Sequence, residues 1–204
     1  MTAPIDFYFD FISPYGYLAA TQVEKIAAKY GRDVAWHPFL LGVTVMNVMG
    51  LKPIMETPLK SDYAVIDRPR MAKLLGVPLV IPDMEGVNSI AASRAYYWQL
   101  EREPHLAKDL AMRLFRRLWV DGKDITDVDA VIDEASALGI DGDALREGLQ
   151  DSRVKALLRD AVDRAVARKV FGAPFFIVDD EPVWGIDRLW MLEHWLAHGN
   201  WEPA

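Results

Sequence analysis

The sequence predicts an α/β protein carrying a large helical insertion, and three observations carry that expectation. An alternating aromatic strand near the start runs straight into a helix; the stretch 42–152 is helical in pattern almost throughout; and residues 175–184 return to strand before a closing helix. A chain of 204 residues suits one domain bearing an insertion better than two independent ones.

From Pro4 to Phe11 the chain places Ile5, Phe7, Phe9 and Phe11 on one side and Asp6, Tyr8 and Asp10 on the other, a period of two in strand-forming residues. Ser13-Pro14 then opens a helical pattern that ends near Gly31, with Ser13 as candidate N-cap and Pro14 at the first helical position. Asp33 to His37 reads as a second strand, ended by Pro38. Helices are expected around Lys60–Leu75, Ser89–Glu101, Leu106–Val120, Val128–Leu138 and Ala144–Leu149, with a kink or a helix start at Pro69. A long helix over Val154–Val170 leads into Phe175–Val178, an apolar run of strand length. Asp179 to Pro182 makes a turn, Val183-Trp184 a brief last strand, and Ile186–His198 the closing helix. This order, β-α-β, helices, then β-β-α, is that of a thioredoxin-like fold. Residues 1–41 and 153–204 form the thioredoxin-like part, and residues 42–152 the inserted helical domain.

Composition narrows the function classes. Hydrophobic residues at 51% and charged residues at 26% allow a full core and leave no stretch that reads as disordered. A net charge of −7 argues against affinity for phosphate backbones, since the basic runs at Arg113–Arg117 and Arg153–Lys169 are interleaved with acids. The N-terminus carries no basic and apolar leader, and no apolar run is of bilayer length, so the expectation is a cytoplasmic protein without membrane or nucleic-acid partners. With no cysteine at all, the chain has no thiol for disulfide exchange or metal binding. His194 and His198 share a helix spacing but lack a metal-site context, and no metal is expected. Nucleophile-elbow, P-loop and dinucleotide signatures are missing.

Three local features invite a ligand, and each has a purely structural reading beside it. The helix start at Ser13 offers free N–H groups and partial positive charge to an anion or thiolate, though serine is also simply a good cap. Pro174, at the start of a buried strand, would free the backbone of Ala173 for an extended ligand if its peptide were cis; on sequence alone the ordinary trans bond is the reading. Asp187, in the first turn after Gly185, could hold a ligand ammonium or simply complement a helix dipole. Tyr63, Tyr96, Tyr97, Trp98 and Trp119 could line an apolar pocket or serve as core.

Taken together, Phe7-Tyr8-Phe9-Asp10-Phe11-Ile12-Ser13-Pro14-Tyr15-Gly16-Tyr17-Leu18, Lys169-Val170-Phe171-Gly172-Ala173-Pro174 and Trp184-Gly185-Ile186-Asp187-Arg188-Leu189 resemble the bacterial 2-hydroxychromene-2-carboxylate isomerases, relatives of the kappa-class glutathione transferases with a DsbA-like thioredoxin fold. The resemblance implies glutathione as cofactor and a small aromatic oxo-acid as substrate, isomerised from cis to trans by reversible thiolate addition. It implies Ser13 as the catalytic residue touching the glutathione sulfur. Ala173, before a cis Pro174, would pair with the cysteinyl backbone, and Trp184, Gly185, Ile186 and Asp187 would hold the γ-glutamyl end. It leaves room for a homodimer, for a kappa-like transferase or peroxidase activity, and for a binding protein that has lost its chemistry. Ile186 stands where the family usually carries Asn, and the loop Gly50-Leu51-Lys52-Pro53 lacks the Asn that many members have there.

Overall fold

Strand β1 (Ile5–Phe9) lies inside a four-stranded mixed sheet of order β2-β1-β3-β4 in the computed structural model, which describes residues 3–203. It pairs in parallel with β2 (Val34–Pro38), from Ile5 opposite Val34 to Phe9 opposite Pro38. A parallel neighbour requires a crossover, and α1 (Pro14–Lys29) supplies it. On its other side β1 runs antiparallel to β3 (Phe175–Val178). β3 forms a hairpin with β4 (Glu181–Trp184) through Asp179 and Asp180, both at positive φ (50° and 67°). That is the backbone of a tight two-residue hairpin turn, for which Asp is among the suited residues. The turn is shorter than its composition suggests, because Glu181 and Pro182 already belong to β4. Pro182 is accommodated there because β4 is an edge strand.

Ile5, Phe7, Phe9 and Phe11 are all fully buried, as their alternation predicts, although Phe11 lies beyond the end of the strand. Tyr8 and Asp10, on the opposite side, are buried as well. The sheet is thus covered on both faces, a condition that two-residue alternation cannot reveal by itself.

Every expected helix is present. They are α2 (Lys60–Leu75), α3 (Ile90–Leu100), α4 (Pro104–Trp119), α5 (Val128–Ser136), α6 (Gly142–Gln150), α7 (Ser152–Ala167) and α8 (Leu189–His198), the last preceded by a 3-10 turn at Ile186–Arg188. Asp141 and Asp151 cap α6 and α7 by accepting from amides of the first turn. Helix α2 continues through Pro69, so no helix starts there. The carbonyl that Pro69 deprives of a donor belongs to Val65, an exposed residue whose backbone lies on the wet side of the helix. A π-helical segment at Val43–Val48 and a 3-10 turn at Ile54–Glu56 were not foreseen. No helix among the described residues is long and apolar enough to cross a membrane.

The inserted helices dock on β2 and on the segment after β1 through buried polar groups on aromatic side chains. The Tyr96 hydroxyl donates to the Trp36 carbonyl (3.0 Å), the Tyr97 hydroxyl to the Pro38 carbonyl (2.7 Å), and Trp119 Nε1 to the Phe11 carbonyl (2.8 Å). Phe115 packs against Phe9 and Phe11 with ring centroids 5.2 and 4.9 Å apart. Tyr96, Tyr97, Trp98 and Trp119 are therefore core residues rather than pocket lining. Buried residues of the sheet and of the inserted helices form one continuous cluster.

Asp10 sits at the junction of β1 and α1 with its carboxyl out of water. It accepts from the Leu41 amide at 2.7 Å and the Ile12 amide at 3.2 Å. Burial raises its pKa, against the pull of those donors.

Two stability measurements test this packing. Trp119→Phe leaves the buried Phe11 carbonyl without its donor and should lower unfolding free energy by about 1–3 kcal/mol in urea titrations. For Asp10 the native pKa stands above the unfolded value of about 3.9, so the native state holds the proton more tightly. Its contribution is complete below that unfolded value and is lost as pH rises through the native pKa. Stability of the wild type relative to Asp10→Asn should therefore fall across that window, and parallel stability curves for the two proteins would contradict the assignment.

Candidate active site

Three segments converge at one end of β1: the start of α1, the loop before β3, and the turn after β4. Ser13 has extended backbone angles (φ −94°, ψ 115°), and its Oγ accepts from the Gly16 amide at 3.1 Å, the geometry of an N-cap. The same hydroxyl donates to the Ala173 carbonyl at 3.1 Å, a contact spanning 160 positions of sequence. Ser13 is only 5% exposed, and both functions of its hydroxyl are committed to the protein.

The Ala173–Pro174 peptide is cis, as the resemblance implies and contrary to the reading from the proline alone. The Ala173 carbonyl is turned toward Ser13, while its amide finds no acceptor among the described residues. The Pro174 carbonyl accepts from the Gly185 amide at 3.0 Å and so anchors the turn that carries Asp187.

Beside these segments lies a cavity of about 380 Å³, of small-ligand size. Ala173, Pro174, Trp184, Gly185, Ile186 and Asp187 form one wall of it, so six of the seven residues that the resemblance assigns to glutathione line a common space. Ser13 stands behind this wall, joined to it through Ala173. Two glycines make the wall possible. A Cβ on Gly172 would come within 2.3 Å of the Trp184 indole nitrogen, so Gly172 leaves room for that ring, which meets Phe171 edge to face with centroids 4.9 Å apart. Gly185 has φ +104°, and a Cβ there would meet a carboxylate oxygen of Asp187 at 2.4 Å. The Asp187 carboxylate folds back over this glycine, exposed, with Arg188 Nη1 3.3 Å away.

Tyr15, Tyr63, Asp67, Met71 and Arg188 complete the cavity. Of these, only Tyr63 was a sequence candidate. The Tyr15 hydroxyl donates to Asp67 Oδ2 at 2.7 Å. Burial, reinforced by the Asp67 carboxylate, pushes the Tyr15 pKa up, so Tyr15 stays a neutral donor at any physiological pH. Tyr63, Asp67 and Met71 are spaced four apart on α2 and therefore share one face. That spacing is visible in the sequence, but nothing in it says that this face looks onto the start of α1. Among the described residues no three His, Cys, Asp or Glu side chains gather as a metal site.

Residues 4–197 match the family model of the DSBA-like thioredoxin domain. A 2-hydroxychromene-2-carboxylate isomerase of Pseudomonas putida is 32% identical over 93% of this chain and 92% of its own length. A glutathione S-transferase kappa 1 of Caenorhabditis elegans is 29% identical over 87% of this chain and 81% of its own. A solved structure of 2-hydroxychromene-2-carboxylate isomerase superposes with a TM-score of 0.84 at 30% identity, covering 95% of this chain and 94% of that one. With the sheet order, the Ser13 cap, the cis Ala173–Pro174 bond and near full-length similarity in agreement, the chain belongs to the DSBA-like thioredoxin family and, within it, to the enzymes of the 2-hydroxychromene-2-carboxylate isomerase family.

Proposed function

We infer that this enzyme is a glutathione-dependent isomerase that converts 2-hydroxychromene-2-carboxylate, or a related aromatic oxo-acid, to its trans open-chain isomer. The observation that carries the reading is that Ala173, whose amide is unpaired among the described residues, and the Asp187 carboxylate line one cavity, with the Ser13 hydroxyl joined to its wall through the Ala173 carbonyl. Those groups fit a γ-glutamyl tripeptide: an amide free to pair with an extended backbone, a carboxylate for an ammonium, and a helix N-terminus for a sulfur anion. The similarity to kappa-class transferases, whose name carries glutathione, supports the same cofactor.

Glutathione, when bound, supplies a thiol whose reversible addition to the activated double bond lets that bond turn. A free thiol with a pKa near 8.5 is only about 3% ionised at pH 7, so the protein must favour the anion. The start of α1 contributes partial positive charge. The Ser13 hydroxyl contributes a donor once it leaves the Ala173 carbonyl, and that exchange of one hydrogen bond for another costs little net free energy. Asp187 orients the ammonium end, and the cis-proline loop holds the peptide in line. Since the chain has no cysteine, the thiol is not the protein's own.

Two variants test the reading. Ser13→Gly is the cleaner probe of the hydroxyl, because glycine costs a helix cap only a few tenths of a kcal/mol. An aspartate at this place would set its carboxylate against the Ala173 carbonyl. Turnover per folded molecule should fall about 10²–10³-fold, as for loss of one donor at an anion site, and the pH at which bound glutathione ionises should rise in ultraviolet titration. Normal turnover with an unmoved titration would remove Ser13 from the chemistry. Asp187→Asn should weaken glutathione binding by about 1.5–3 kcal/mol in calorimetric titration. It should shift stability by less than about 1 kcal/mol, since its pairing with Arg188 is at the surface. Unchanged affinity would argue that Asp187 only complements the turn.

A further inference from the structure

Asp67 lines the cavity from α2, and Tyr15, which lines it too, reaches Asp67 from the first turn of α1. The Tyr15 hydroxyl donates to Oδ2 at 2.7 Å across 52 positions of sequence. The other carboxylate oxygen, Oδ1, has no hydrogen-bond partner among the described residues, and it is not one of the unpartnered atoms shut off from solvent. No ion pair among the described residues includes Asp67. The second carboxylate of the cavity differs, since Asp187 has Arg188 Nη1 at 3.3 Å. Asp67 thus brings to a ligand-sized space one oxygen fixed by a neutral donor and one free to accept a proton. A mere staple between α1 and α2 accounts for the first and not for the second.

The proposed substrate calls for such a group before any thiol can act. In 2-hydroxychromene-2-carboxylate a single carbon, C2, bears the ring oxygen, a hydroxyl and the acid group. The double bond to be turned lies within the ring, which holds it cis, so the ring must open first. Opening breaks the bond between C2 and the ring oxygen, and the electron pair stays on that oxygen. The hydroxyl loses its proton and becomes a ketone, and the ring oxygen ends as a phenol. The net change is one proton moved between two oxygens of the same carbon, with no thiol, oxidant, reductant or water consumed. A carboxylate that accepts from the hydroxyl and gives back to the ring oxygen serves as general base and then as general acid.

We propose that Asp67 carries this proton and so opens the substrate ring, with Tyr15 as the positioning residue that holds its carboxylate. This role rests on the isomerase reading for its substrate. Oδ1 takes the hydroxyl proton as the ring bond breaks and returns it to the ring oxygen, so Asp67 ends as it began. The Tyr15 hydroxyl stays on Oδ2 throughout. The acid group on C2 is repelled by Asp67 and drawn to Arg188, the cation among the residues that line the cavity.

Ring opening and double-bond rotation can be read apart. Opening is followed by NMR exchange between the cyclic and cis open forms of the substrate, with and without ophthalmate, which is glutathione with a methyl group in place of the thiol. Rotation is followed in the ultraviolet, with glutathione, on cis-benzylidenepyruvate, which lacks the ortho hydroxyl and cannot close a ring. Wild type should hasten both. Asp67→Asn keeps an acceptor for Tyr15 but no base, and should lose about 10²–10³-fold in opening, roughly tenfold or more beyond its loss in rotation. Tyr15→Phe should lose about tenfold in opening, again more than in rotation, and it decides the matter should Asp67→Asn fold poorly. An interhelical staple would lower both rates together, so equal losses overturn the proposal. So does a wild type that does not hasten ring opening; if it still rotates cis-benzylidenepyruvate, the isomerase reading stands. Opening that depends on Asp67 in a protein that rotates no double bond upholds the proton carrier and removes the isomerase reading.

Discussion

The Ser13 hydroxyl joins the two ends of the fold, and the cavity is suspended from that joint. On one side it receives the Gly16 amide and so starts α1; on the other it gives its proton to the Ala173 carbonyl. The next carbonyl, that of Pro174, receives the Gly185 amide, and Gly185 in turn has the backbone angle and the missing side chain that let Asp187 fold over it. Helix start, proline loop and acidic turn are thus positioned by one short relay of hydrogen bonds. Its geometry also limits the site. A ligand that takes the proton of the Ser13 hydroxyl must release the Ala173 carbonyl, so that contact and the resting one exclude each other.

Much of this was legible before any coordinates. The alternation from Ile5 to Phe11, the Ser13-Pro14 start and the apolar run Phe175–Val178 specify elements whose periods and caps are local properties, and α2 falls on its expected bounds. The cavity wall formed by Ala173, Pro174 and Trp184–Asp187 was legible because its residues sit in two short stretches marked by Gly and Pro. The opposite wall was not. Tyr15 stands in a helix start where an aromatic residue needs no explanation, and Asp67 sits in a run of charges that reads as a solvated face. Only the crossing of α2 over the start of α1 turns that face inward, and helix crossings are decided by tertiary packing rather than by propensity. The same limit explains Tyr96, Tyr97 and Trp119: their polar tips find carbonyls on other elements, a match that pattern along one helix does not encode.

Helix α2 differs in character from the helices around it. Ala64, Arg68 and Ala72 are its buried residues, whereas Tyr63, Val65, Ile66 and Leu74 are exposed. Little apolar area holds it to the body, in contrast to α4, which buries Leu110, Leu114, Phe115, Leu118 and Trp119. A weakly anchored element bearing a cavity wall opens at a lower free-energy cost than the core beneath it, which suits a wall that must admit and release ligands.

The strand order has a consequence for how the chain is made. β2 follows soon after β1 along the chain, but β3 begins only at Phe175. At ordinary rates of synthesis the aromatic edge of β1 therefore waits on the order of ten seconds for its antiparallel partner. During that interval Phe7, Phe9 and Phe11 depend on β2 and the emerging inserted helices for cover, and an unpaired apolar edge is a template for aggregation. The inserted helices, which dock by hydrogen bonds on Phe11, Trp36 and Pro38, precede β3 in the chain and so are the first cover available to that face of the nascent sheet.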